Sequence, residues 1–138
     1  MENRFSSDSM LMHVAEIVAL RATCSRAQVG CVIAKDNRII SMGYNGAPKG
    51  MTHCNHDHDS SSGCDVSVHA EANAIAFAAK EGIATEGATL YTTLSPCKTC
   101  AQLIINAGIT TVHYTKLYRD ESGINLLRLV NINTYFGA

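Results

Sequence analysis

The chain has 138 residues, formal net charge −1 from 11 basic and 12 acidic side chains, 46% hydrophobic residues and no Trp. That fits one globular domain over 1–138 with a real core. It argues against a long polynucleotide groove, which asks for a basic stripe, and no apolar run approaches membrane-spanning length. The start, Met1-Glu2-Asn3-Arg4-Phe5-Ser6, has no apolar signal core. Six cysteines at Cys-x-x-Cys and mixed His/Cys spacings read as metal chemistry in a reducing compartment. The expected location is the cytoplasm, that of the host cell if the protein is viral.

Leu11, Val14, Ala15, Val18, Ala19 and Ala22 recur at helical spacing and predict a helix from Asp8 to about Thr23, capped by Ser7 or Asp8. Val29–Ala34 and Arg38–Tyr44 read as a hairpin around Lys35-Asp36-Asn37. Asn45–Gly50 is loop material, and His53–Ser67 is a polar loop long enough to suggest function or disorder. Ser67 is placed to cap a helix carrying Ala72, Ile75, Ala76 and Ala79, stopped by Gly82. Thr89–Leu94 is a strand, and Ser95-Pro96 opens a helix that ends at Gly108. Ile109–Tyr114 is a strand, Ile124–Leu129 a short helix, and Asn131–Tyr135 a last strand or a tail. The alternation predicts a three-layer α-β-α fold, a mixed sheet of about five strands with helices on both faces.

The chemistry concentrates in His69-Ala70-Glu71 and Ser95-Pro96-Cys97-Lys98-Thr99-Cys100. His69, Cys97 and Cys100 supply three zinc ligands, and three protein ligands leave a tetrahedral ion one open position, the mark of a catalytic site. Both halves fall at predicted helix starts, where the positive dipole end favours thiolates. Zinc lowers the pKa of a bound water toward ~7. Glu71 is then the proton shuttle, from that water to a ring nitrogen and on to a departing amine. The H-x-E…P-C-x-x-C pattern is the signature of zinc nucleobase deaminases.

Over nearly its whole length the sequence resembles the deoxycytidylate (dCMP) deaminase family, in its compact phage and bacterial form. The resemblance is carried by Thr23-Cys24-Ser25-Arg26, Val29–Ile33, Gly43-Tyr44-Asn45-Gly46-Ala47-Pro48-Lys49-Gly50, His53-Cys54, His69–Ile75, and Gly87-Ala88-Thr89-Leu90-Tyr91 through Cys100-Ala101. It implies the cytidine deaminase-like fold and hydrolysis of dCMP to dUMP and ammonia, which supplies dUMP for thymidylate synthesis. It implies activation by dCTP and inhibition by dTTP with Mg²⁺, and assembly as a homo-oligomer, commonly a hexamer. Gly43, Tyr44, Asn45 and Gly46, with Asn73 and Phe77 on the catalytic helix, are the implied effector residues. The two glycines suit a loop with two backbone states. Arg26 is the implied phosphate ligand, with Asn45, Ser95 and Tyr118 as the other substrate contacts.

The resemblance also implies a second, structural zinc held by Cys24, Cys54 and Cys64. His58 is favoured over His56 as its fourth ligand, and His53 and Asp57 stay open. Cys31 reads as a small core residue. The competing readings are a deaminase of cytidine, guanine or a tRNA adenosine, and a zinc-folded nucleotide-binding regulator in which Glu71 is dispensable.

Overall fold

The computed structural model describes residues 3–24, 27–53 and 66–138. The elements are α1 (Ser7–Ala19), β1 (Gly30–Lys35), β2 (Arg38–Tyr44), α2 (Ala70–Lys80), β3 (Thr89–Thr92), α3 (Lys98–Asn106), β4 (Thr111–Tyr114), α4 (Ser122–Leu129) and β5 (Asn133–Phe136). The sheet order is β2-β1-β3-β4-β5. β1 pairs antiparallel with β2 and β3, whereas β3–β4 and β4–β5 are parallel. The predicted hairpin is present, and its turn follows from local chemistry. Asp36 and Asn37 take φ of 52° and 62°, the left-handed pair that a two-residue type I′ connection needs.

Strand alternation divides the core. Cys31 and Ile33 of β1, Leu90 of β3 and Val112 and Tyr114 of β4 face Ala70 and Ala74 of α2, Ala101 and Ile104 of α3, and Ile124 and Leu127 of α4. Val32, Ala34 and Tyr91 point the other way, onto Leu11, Met12 and Ala15 of α1. Side chains on a strand alternate between faces, so each strand feeds both layers. The expected α-β-α layering is therefore observed, with one helix on one face and three on the other. No helix among the described residues is long and apolar enough to cross a membrane.

Several helix ends differ from the sequence reading. α1 is capped by Ser6, whose hydroxyl accepts from the Ser9 N–H at 3.0 Å, not by Ser7 or Asp8. It stops at Ala19 rather than near Thr23, because the Thr23 N–H is taken by the Asn45 carbonyl at the end of β2 (3.1 Å). The caps of α2 and α3 are His69 and Cys97, not Ser67 and Ser95. These last two differences build the site.

Candidate active site

At the start of α2, His69 holds extended backbone (φ −69°, ψ 153°) and makes no side-chain capping bond. Its imidazole therefore projects off the helix end and keeps its nitrogens for other partners. At the start of α3, Cys97 takes the same role (φ −69°, ψ 171°), and its Sγ accepts from the Cys100 N–H at 3.5 Å. A sulfur thus satisfies one of the four orphan N–H groups of the helix start. Cys100, one turn on, turns its sulfur to the same side.

The two helix starts converge. His69 Nδ1 lies 3.4 Å from Cys97 Sγ and 3.4 Å from Cys100 Sγ, and the three ligand atoms all fall within 4.8 Å of one another. Zn–S distances of about 2.3 Å and Zn–N of about 2.0–2.1 Å around a tetrahedral centre place N and S about 3.6 Å apart. The triad fits a zinc ion and supplies a mixed N/S donor set with one position open. It is the one such group among the described residues.

The ionisation of these groups shows the same poise. Hydrogen bonds from the Cys100 thiol and from His69 lower the pKa of Cys97 to about 4. Cys100 is pushed up by its hydrogen bond to Cys97 and by burial. His69 is pushed up by its hydrogen bond to Cys97. Two thiols this close cannot both ionise without a cation between them, so a divalent ion is the natural way to balance the cluster.

Glu71, on the first turn of α2, is buried at 4% exposure. Burial pushes its carboxyl up, opposed by a hydrogen bond from Thr92. A carboxyl raised by burial beside a triad of candidate metal ligands is the type expected of a proton shuttle.

Glu71, His69 and Cys97 line a cavity of about 450 Å³ with Asn45, Ser95, Tyr118 and Arg119. Asn45 builds one wall. The Val29 N–H donates to its Oδ1 (2.7 Å), and its Nδ2 donates to the Ala27 carbonyl (2.8 Å). One amide hydrogen remains for a ligand. Ser95 pins the opposite rim, because its Oγ accepts from the Tyr118 N–H (2.6 Å) while its own N–H donates to the Lys116 carbonyl (2.8 Å). The sequence reading had no handle on Arg119, the one cation lining the cavity among the described residues. A lone arginine in a short loop carries no local signal. Thr92 was likewise missed, since a threonine ending a strand reads as ordinary β-propensity.

Of the other predicted residues, Arg26, Cys54, His56, His58 and Cys64 lie outside the described residues. Cys24 is buried and lines the same cavity, and Cys31 is fully buried, as expected. Gly43 and Gly46 have a different reason for being glycine than the one read from sequence. Neither has positive φ. A Cβ on Gly43 would sit 2.5 Å from the Ala70 carbonyl oxygen, and one on Gly46 would sit 2.2 Å from Thr23 Oγ1. Close approach, not backbone freedom, excludes a side chain there. Asn73 ties α2 to this segment by donating to the Tyr44 carbonyl (2.8 Å), and Phe77 is 45% exposed.

Comparison with known proteins agrees with this geometry. The family described as "Cytidine and deoxycytidylate deaminase zinc-binding region" matches residues 5–116. The chain is 41% identical over 125 residues to ComE operon protein 2 of Bacillus subtilis, covering 86% of this chain and 64% of that one. It is 38% identical over 122 residues to the deoxycytidylate deaminase of Mycobacterium phage D29, covering 79% and 94%. Among solved structures, the dCMP deaminase of cyanophage S-TIM5, in complex with dCMP and dUMP, superposes with a TM-score of 0.83 at 34% identity, covering 89% and 90%. The chain spans only part of its cellular relatives: 64% of the Bacillus protein, and 41% and 44% of two yeast deoxycytidylate deaminases.

Proposed function

The chain belongs to the cytidine and deoxycytidylate deaminase family, a class of zinc-dependent hydrolases, and we propose that it converts dCMP and water to dUMP and ammonia. One observation carries the reading: a three-ligand His69/Cys97/Cys100 cluster and a buried carboxyl, Glu71, open into a cavity rimmed by a cation, Arg119.

His69, Cys97 and Cys100 would hold the zinc, which would supply an acidified water as nucleophile at neutral pH. Glu71 does the proton work. Its carboxylate takes one proton from the attacking water and delivers it to N3 of the cytosine ring. It then passes the remaining hydroxyl proton to the C4 amino group, which departs as ammonia and leaves a C4 carbonyl. The water gives up both protons, and Glu71 ends as it began. Burial suits the task, because a desolvated carboxylate is a stronger base than one in water.

Asn45 orients the substrate through its remaining amide hydrogen, and Ser95 holds the Tyr118 rim in place. Arg119, with Arg26 as the family resemblance implies, meets the 5′-phosphate. A guanidinium can grip phosphate in a bidentate manner, and a free nucleoside would give it nothing to bind. The single-domain organisation over 1–138 and the cytoplasmic location belong to the same reading.

The finer features rest on the resemblance. They are the second zinc on Cys24, Cys54, His58 and Cys64, regulation by dCTP and dTTP with Mg²⁺ at Gly43–Gly46, Asn73 and Phe77, assembly to a hexamer, and a place in dTTP supply. The Asn73–Tyr44 bond supports a link between the effector segment and the catalytic helix. The half-exposed Met42 on edge strand β2 supports assembly.

The test is ammonia release by the zinc-loaded protein from dCMP, deoxycytidine or cytidine, each with and without dCTP or dTTP plus Mg²⁺. Turnover of dCMP, raised by dCTP and lowered by dTTP, is expected. Turnover of nucleosides in preference to dCMP would refute the phosphate assignment, and no turnover of any would refute the reaction.

A further inference from the structure

Thr92 is the last residue of β3 and is fully buried. Its neighbour Leu90 faces the α2/α3/α4 layer, and strand alternation sends Thr92 to the same side. A buried hydroxyl costs free energy unless it is hydrogen-bonded, and valine fills the same space at a strand position with no polar atom. Thr92 therefore needs a polar partner to account for it, and it has two. Its Oγ1 donates to Glu71 Oε1 at 2.7 Å, and it also lies 2.9 Å from the Leu94 carbonyl oxygen.

We infer that Thr92 is a positioning residue for the proposed deamination: its hydroxyl fixes Glu71 Oε1 at the cavity floor and leaves the other carboxylate oxygen for the reacting atoms. This rests on the deaminase reading of the site. Glu71 reaches the cavity from a helix start through a side chain with three rotatable bonds. The Cys100 thiol and the backbone N–H of Glu71 itself also reach the carboxyl, but a thiol given to a metal has no hydrogen to donate, which leaves Thr92 as the side chain that fixes Oε1. Small misplacements of a catalytic group are expensive. The Leu94 carbonyl gives the hydroxyl a second acceptor. A carboxyl that carries its proton on the outer oxygen still accepts at Oε1, so the pair stays bonded in both states. Thr92 touches neither substrate nor ligand cluster in this role.

The experiment compares zinc-loaded wild type, Thr92→Val and Thr92→Ser. Thr92→Val should lower kcat for dCMP about 10- to 100-fold, the loss that follows deletion of a buried hydrogen bond to a charged group. KM should stay within about twofold and zinc content at the wild-type level, because the bond is already made before substrate arrives and touches neither the nucleotide nor a metal ligand. Thr92→Ser, which keeps the hydroxyl, should restore most of the rate. A nucleotide analogue hydrated across the N3–C4 bond should bind Thr92→Val more weakly by the same factor as kcat/KM falls, while dUMP binds as to wild type. Wild-type kcat in Thr92→Val, or equal losses in kcat and in dUMP affinity, would overturn the assignment.

If the wild-type protein fails to release ammonia from dCMP, the functional reading fails, and the pairing is judged by stability alone. In a cycle of Thr92→Val against Glu71→Met on denaturant unfolding, the double variant should shift the midpoint by less than the sum of the singles. Additive shifts would show that Thr92 serves only Leu94 and would end the inference.

Discussion

Gly123 sits in the first turn of α4 and is buried. Helix propensity alone recommends its replacement, because alanine is favoured over glycine in a helix interior by ~1 kcal/mol. The tertiary contact says the opposite. A Cβ at position 123 would lie 2.0 Å from the Pro96 carbonyl oxygen and 2.8 Å from the Cys97 carbonyl carbon and oxygen. Non-bonded heavy atoms settle at about 3.5–4.0 Å, so the two segments would have to part by roughly 1 Å or more. The obstacle is backbone, which cannot swing aside as a side-chain tip can. Overpacking of this kind costs typically ~1–3 kcal/mol, and a rigid obstacle places it at the upper end. Subtracting the propensity gain, Gly123→Ala should destabilise the protein by about 1–2 kcal/mol. The atoms displaced belong to Cys97, a proposed zinc ligand. Metal–ligand distances tolerate only about 0.2 Å, so zinc affinity should fall roughly 10- to 100-fold, as when a group supporting a ligand is lost. Zinc affinity by competition with a chromophoric chelator, and thermal unfolding with and without zinc, measure both effects. A Gly123→Ala protein that binds zinc as wild type does and melts at or above the wild-type temperature would refute the argument.

Other expectations follow from the same geometry. Glu71→Gln should keep full zinc content, read by metal analysis, while kcat for dCMP falls about 10²- to 10⁴-fold, the usual contribution of a positioned acid–base group. Arg119→Ala should raise KM for dCMP about 10-fold through loss of a charge-assisted contact and leave any slow turnover of deoxycytidine unchanged; equal effects on both substrates would place Arg119 away from the phosphate. Tyr91 is buried and donates from its hydroxyl to Asp8 Oδ1 at 2.5 Å. Burial, and then Asp8, push its pKa above the ordinary value of 10. A folded-state pKa above the unfolded one means the contribution is intact below pH 10 and is lost as pH rises toward the folded value. Urea midpoints measured from about pH 8 to 11 should fall above pH 10 in wild type and less steeply in Tyr91→Phe.

Much of this protein was legible locally. Asp36-Asn37 dictated a tight hairpin because those side chains tolerate left-handed backbone, and the apolar spacing of Leu11 and Ala15 made α1 amphipathic whatever surrounded it. The two halves of the ligand set were visible because His69-x-Glu71 and Cys97-x-x-Cys100 are each set by a single helix start. Cap identity was less secure. Ser67 and Ser95 are good N-caps by chemistry, yet the chain enters its helices at His69 and Cys97, the residues whose side chains the cluster requires. The strand–helix–strand order of β3, α3 and β4 already called for a parallel crossover, and the two strands do pair in parallel. What no local pattern contained is the pairing of β1 with β3 and of β4 with β5. That order brings α2 beside α3 and closes a gap of 28 residues between His69 and Cys97 to 3.4 Å. It also sets Thr92 under Glu71, swings Arg119 to the cavity rim, and gives Gly43 and Gly123 their reason to be glycine. Composition and spacing determined which chemistry the chain could carry. Which groups face one another depended on non-local strand pairing, since a residue's partners across a sheet are chosen by the packing of the whole core and not by its sequence neighbours.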